Sequence, residues 1–251
     1  MLDASPMAPC RLHWSAGDVE VFHVDLLGRA DIEDTAVGWL SAAERARRER
    51  FVHSPARRQF TICRAYVRLL LTQRLDCHRS ELDFSLGQFG KPSALVRGGV
   101  APVEFNVSHS GSHGLIALSR ARPIGIDLEE KRPGLAFSDI SESVFSDEEC
   151  ALLREYSAER AMWLFYRIWT LKEAAIKSIG RGFSLAPKTL ALPSGLVRGG
   201  GEALLDLPRE TRAPCPQRLH LYALPDVGPA AAALAIGEPS MVHLGGASTF
   251  G

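Results

Sequence analysis

The sequence predicts an α+β protein made of two similar lobes with a ligand cleft between them, and three observations lead there. Segments that alternate apolar and polar residues, the period of a strand, are interleaved with segments of helical period opened by capping signals. A chain of 251 residues can form two units of about 120, each able to bury a core. Finally, an order of features recurs. Val21-Phe-His-Val-Asp25, Ser41-x-x-Glu44 and a helix with Arg64 are echoed by Ile124-Gly-Ile-Asp127, Ser146-x-x-Glu149 and a helix with Lys172, offset by roughly 102 to 108 residues. The lobes are expected to span 1–121 and 122–251.

Composition narrows the class. Hydrophobic residues are 46% and charged ones 23%, ordinary shares for a globular protein. Basic and acidic residues number 29 each, so no overall field draws the chain to nucleic acid. Locally, ten arginines between Glu44 and Arg79 face only Glu44, Glu49 and Asp76, a cluster able to meet an anion. Five cysteines without a C-x-x-C pair suggest neither a disulfide framework nor a zinc site. The N-terminus lacks a charged-then-apolar signal pattern, and the longest apolar run, Ala230 to Ile236, is too short for a bilayer. The expectation is a monomer in a reducing cytoplasm, without membrane or nucleic-acid partners.

Val19 to Val24 reads as a strand. Ser41-Ala-Ala-Glu44 has capping-box spacing and opens an arginine-rich helix to about Phe51. Ser54-Pro55 restarts a helix, with Phe60, Cys63, Tyr66, Val67 and Leu70 on its buried face and Arg57, Arg58, Arg64 and Arg68 on its polar one. Gly87-Gln-Phe-Gly90-Lys91-Pro92 is a turn without the spacing of a P-loop. Val103 to Ser108 is a strand with Asn106 and Ser108 on one face, His109 to Ser112 a polar turn, and Leu115 to Leu118 the return strand. Ser146-Asp-Glu-Glu149 is a second capping box. Strands are expected at Thr189–Leu192, Leu219–Leu224 and Ala231–Ile236, with turns or a long loop over Pro193–Pro216 and a loose tail from His243.

The chemistry concentrates between Pro123 and Gly182. Ile124, Ile126 and Leu128 alternate with Gly125, Asp127 and Glu129, as in a half-buried strand, so Asp127 and Glu129 share one face about 7 Å apart. Two like charges there repel unless a cation lies between them, and a hard, oxygen-seeking cation answers that. Gly125, next on that face, would let a ligand approach the backbone. In the helix ending at Gly180, Glu173 and Lys177 lie one turn apart. Such a pair is ordinarily a solvated ion pair, but beside the acidic strand it completes a site for magnesium and a pyrophosphate.

Ile124-Gly-Ile-Asp-Leu-Glu129 and Phe165-Tyr-Arg-Ile-Trp-Thr-Leu-Lys-Glu-Ala-Ala-Ile-Lys177 resemble the two signature motifs of the Sfp-type 4'-phosphopantetheinyl transferases. Phe89-Gly-Lys-Pro92 and Phe105-Asn-Val-Ser-His-Ser110 resemble that family's other two motifs, in the family's order. The resemblance implies a pseudo-twofold pair of lobes and an enzyme that moves the 4'-phosphopantetheine arm of coenzyme A to a serine of an acyl- or peptidyl-carrier protein, releasing 3',5'-ADP. It implies that Asp127, Glu129 and Glu173 hold Mg2+, that Glu173 accepts the serine proton and that Lys177 balances the leaving phosphate. Arg47, Arg58, Lys91, Ser108 and His109 would hold coenzyme A phosphates, with Lys172 a secondary candidate and Glu149 either a cap or a fourth acid near the metal. The chain departs from the family before Arg50-Phe51, where one of two usual basic positions is Glu44 and the other Arg47. Two rival readings are a magnesium-dependent hydrolase of coenzyme A or a related nucleotide diphosphate, and an inactive carrier-protein-binding module.

Overall fold

Two strands bury side chains on both faces, and this sets the layering. On β7 (His113–Ser119), Leu115 and Ala117 point one way and Ile116 and Leu118 the other, all of them buried. On β11 (Ala230–Gly237), Ala232, Leu234 and Ile236 oppose Ala231, Ala233 and Ala235 in the same manner. Such strands need a layer on each side. The computed structural model, which describes residues 10–27, 30–132, 134–182, 185–208 and 216–238, supplies them. Helix α3 (Ser54–Leu75) covers one sheet, α6 (Ala158–Ile179) covers the other, and the two sheets face each other between.

The first sheet is antiparallel in the order β1 (Cys10–Ala16), β2 (Val19–Asp25), β7 and β6 (Glu104–Ser110). The second runs β8 (Ile124–Glu130), β11, β10 (Arg218–Val227) and β9 (Glu202–Asp206), also antiparallel. A small meander of β3 (Leu82–Leu86), β4 (Pro92–Val96) and β5 (Gly99–Val100) lies between α3 and β6 in the chain. Short helices α1 (Ala30–Val37) and α2 (Ala42–Arg48) precede α3, while α4 (Ser138–Val144) and α5 (Asp147–Arg154) precede α6. Between the sheets, Val19, Val21 and Leu115 meet Ile126, Leu128 and Leu234 in a shared apolar layer. No helix among the described residues is long and apolar enough to cross a membrane.

Both capping boxes form as the spacing predicts, Ser41 with Glu44 and Ser146 with Glu149. Each box acid also takes a buried cation from the 22-residue helix that follows. Glu44 pairs with Arg68 at 3.2 Å, and Arg68 donates to the carbonyls of Arg79 and Leu82. Glu149 pairs with Lys172 at 2.8 Å, and Lys172 donates to the carbonyls of Pro187 and Leu190. The sequence echo set Arg64 against Lys172; the geometry matches Lys172 with Arg68.

Several expectations are corrected. Strand β8 is buried on both faces from Ile124 to Leu128, not half-buried, because α6 packs on the side that carries Gly125 and Asp127. The space at Gly125 belongs to that helix, since a methyl group there would overlap Ala174 O and Ser178 N. Thr189–Leu192 is not a strand: Pro187–Thr189 forms a 3-10 turn, and Leu190 lends its carbonyl to Lys172. The expected loop from Pro193 contains α7 (Ser194–Val197) and β9, which is anchored by buried Leu205. His109 and Ser110 belong to β6, not to a turn. The tail from His243 lies outside the described residues.

Candidate functional site

Strands β6 and β8 are edges of different sheets, and they meet through side chains. Asn106, Ser108 and Ser110 alternate along β6, share one face and are each at most 8% exposed. The amide of Ile126 donates to Asn106 Oδ1 (2.9 Å), that of Leu128 to Ser108 Oγ (3.3 Å) and that of Glu130 to Ser110 Oγ (3.1 Å). In turn Ser108 Oγ donates to Asp127 Oδ1 at 3.0 Å and Ser110 Oγ to Glu129 Oε2 at 2.9 Å.

Helix α6 brings Glu173 and Lys177 to the same place. Lys177 Nζ donates to Asp127 Oδ1 at 2.6 Å and to Ser108 Oγ at 3.2 Å. Asp127 is 2% exposed, yet its second oxygen, Oδ2, has no hydrogen-bond partner. Burial and then the Asp127 charge raise the pKa of both Glu129 and Glu173 above the usual carboxylate range. His109 stands at the cleft lip, its pKa lowered by the protein packed around the ring and by the Lys177 charge.

Three hollows of about 250, 230 and 310 Å3 meet at Val107. Asp127, Glu129, Glu173, Lys177, Ser108 and His109 line one of them. Lys91 lines a second, where its amine donates to Ile124 O and pairs with Glu104, both at 3.2 Å. Arg47 lines the third, its guanidinium 5.2 Å from the centre of the Phe60 ring. Arg58 lines none of the three; it pairs with Glu33 at 3.3 Å. A further groove, with Ile140, Phe165 and Trp169 in its wall, opens beside Glu129.

Lys172 and Glu149 are structural. Lys172 is fully buried, and Glu149 takes the amides of Ser146 and Leu192 besides the Lys172 amine, which leaves neither for a ligand. Asn106 and Ser110 were missing from the sequence-derived site. Their signal is the Asn106-x-Ser108-x-Ser110 alternation, which puts three polar groups on one face of a strand otherwise packed with Phe105 and Val107.

Among the described residues no group of three or more His, Cys, Asp or Glu side chains is gathered as a metal cluster. The donors nevertheless suit a hard divalent cation, which takes one or two carboxylates and completes its shell with other oxygens. A buried carboxylate oxygen without a partner is costly, and a cation at Asp127 Oδ2 would supply one while relieving Glu129 and Glu173 of repulsion by the Asp127 charge.

Fold and site together define an α+β protein with an acidic cleft where two sheets join. A family model described as the 4'-phosphopantetheinyl transferase superfamily matches residues 123–207. The chain is 33% identical over 178 residues to 4'-phosphopantetheinyl transferase psf-1 of Bacillus pumilus, covering 70% of this chain and 72% of that one. It is 36% identical over 145 residues to 4'-phosphopantetheinyl transferase HetI of Nostoc sp., covering 58% and 61%. With 4'-phosphopantetheinyl transferase Sfp of Bacillus subtilis it shares 27% over 179 residues, covering 71% and 75%. The chain belongs to the 4'-phosphopantetheinyl transferase superfamily. It spans 58% of the length of a Synechocystis relative, slr0495, and 61% of HetI.

Proposed function

We propose that the protein transfers the 4'-phosphopantetheine arm of coenzyme A to a serine hydroxyl of an acyl- or peptidyl-carrier protein, with Mg2+, releasing 3',5'-ADP. The observation that carries this reading is Asp127 Oδ2, a buried carboxylate oxygen without a partner, in a cleft lined by two further acids and a lysine. Asp127, Glu129 and Glu173 would hold the magnesium, which when bound supplies positive charge to a pyrophosphate and orients it. Lys177, its side chain 29% exposed, keeps a cation beside the departing phosphate. Glu173 accepts the serine proton, a role open to a carboxylate that lines the same hollow as Asp127 and Lys177. His109, Lys91 and Arg47 are carried as phosphate contacts by their positions on the adjoining walls. For Arg58 and Ser108 that contact requires release from Glu33 and from Asp127 respectively.

The chain is read as two lobes, 1–121 and 122–251, related by a pseudo-twofold. What supports this is the repeated unit of capping box, 22-residue helix and buried cation, Glu44 with Arg68 and Glu149 with Lys172. With both lobes in one chain a monomer suffices. A reducing cytoplasm fits the free thiols of Cys10, Cys63, Cys77 and Cys150.

Intact mass spectrometry of an apo carrier protein incubated with this chain, coenzyme A and Mg2+ tests the proposal. The carrier is expected to gain the mass of the arm. An unmodified carrier overturns transfer, and coenzyme A cleaved without carrier modification makes the chain a hydrolase.

A further inference from the structure

The contact between β6 and β8 repeats a two-residue unit. Ser108 accepts the amide of Leu128 and donates to the carboxylate of Asp127, the residue before it. Ser110 accepts the amide of Glu130 and donates to the carboxylate of Glu129, again the residue before it. The third rung lacks an acid, because the residue before Ile126 is Gly125, and there the acceptor is the amide oxygen of Asn106. Hydroxyls, which accept and donate at once, stand opposite the acids.

This arrangement does more than satisfy buried polar groups. An edge strand leaves every second amide unpaired along its open side, and side-chain acceptors at two-residue intervals engage three of these in succession, those of Ile126, Leu128 and Glu130. The two strands are thereby locked in one register, since a slip by a single residue would turn the whole set to the other face. The same hydroxyls fix the rotamers of Asp127 and Glu129, whose charges otherwise push them apart. Ser108 also accepts from Lys177, so its hydroxyl is shared with the helix. Ser110 has no such bond to the helix among the hydrogen bonds described, and the one side chain it holds is that of Glu129, beside the Glu130 amide.

We propose that Ser110 is a positioning residue: by accepting the Glu130 amide and donating to Glu129 Oε2, it holds the Glu129 carboxylate ready for the divalent cation, as one rung of a side-chain ladder with Asn106 and Ser108. The inference rests on the reading that Glu129 serves a metal.

Manganese(II) serves as the probe. It is titrated into the whole chain with coenzyme A present and carrier protein absent, and free manganese is read by electron paramagnetic resonance. Wild type, Ser110→Ala, Ser110→Thr and the control Ser119→Ala are compared, Ser119 being a buried serine on β7 whose hydroxyl bonds Asp18, away from the cleft. Ser110→Ala is expected to weaken manganese binding about tenfold, the lower end for loss of a group that orients a metal ligand. Its KM for coenzyme A should stay within about twofold of wild type, since no phosphate contact is lost. Ser110→Thr, which keeps the hydroxyl, returns binding to near wild type, and Ser119→Ala lowers the melting temperature without changing manganese affinity. Undiminished binding by Ser110→Ala, no recovery with threonine, or an equal loss in Ser119→Ala overturns the proposal. Wild-type protein that takes up no manganese overturns the metal reading itself and the ladder's role with it, an outcome visible before any variant is made.

Discussion

Glu149 and Asp127 are both buried, at 6% and 2% exposure, and each holds a lysine of the same helix, yet one is part of the scaffold and the other lines the candidate cleft. The difference lies in how completely each is paired. Glu149 takes the amides of Ser146 and Leu192 and the amine of Lys172, and Lys172 uses its remaining donors on two carbonyls. Asp127 has Ser108 and Lys177 on one oxygen and nothing on the other. Of these two acids, the one with every partner in place belongs to the packing of α5 on α6, and the one with an oxygen left over lines the cleft. Lys172 and Lys177 are five residues apart, about 140° around a helix, so one reaches the α5 cap and the other the cleft.

The comparison breaks most sharply in stability. Lys172→Ala leaves Glu149 buried without its cation, and removal of one partner of such a pair costs about 3–5 kcal/mol; urea denaturation of the whole chain measures it. Unchanged stability would mean that the pair contributes nothing to the scaffold. Asp127→Asn should do the reverse, losing about 10²- to 10³-fold in the proposed transfer rate while its melting temperature stays level or rises, because the charge that repels Glu129 and Glu173 has gone. A parallel fall in stability would return Asp127 to the scaffold class.

Two smaller effects sharpen it. Gly125→Ala forces β8 away from α6 and, as overpacking, costs about 1–3 kcal/mol, which thermal unfolding reads; a neutral result would mean the helix yields easily. The smallest effect concerns pH. Glu173 has a raised pKa in the folded chain, so in metal-free protein its protonated form is favoured by folding. That contribution is present below the unfolded carboxylate pKa and is lost as pH rises through the higher folded value. Metal-free Glu173→Gln is therefore expected to lose less stability than wild type between acidic and neutral pH. Equal slopes in thermal melts across that range would show that burial does not strain Glu173.

What could be read in the sequence was what local period decides. Asp127 and Glu129 on one strand face, Glu173 and Lys177 one helical turn apart, and the two capping boxes all follow from spacing within a few residues. What lay opposite each element could not be read this way. Gly125 looks the same whether a ligand or a helix backbone comes near it, and the helix proved to be there. Strand β9 was missed because adjacent Leu204 and Leu205, one exposed and one buried, carry no clear alternation as an edge strand. Lys172 was distinguishable in principle by its angle around the helix, but its partners come from α5 and from the segment after the helix. The serines of β6 were visible as an alternation, and only the approach of β8 gave them a use.

The rungs on β6 also provide a natural reporter of how the molecule opens. The amides of Ile126, Leu128 and Glu130 donate to side chains of the other sheet. Their exchange with solvent deuterium therefore requires only that the sheets part locally, whereas core amides paired within a sheet await larger unfolding. These three amides should exchange together and faster than the amides of β7, and a cation that bridges the acids beside them should slow all three at once. The molecule would then report occupancy of its site through backbone groups that never touch the ligand.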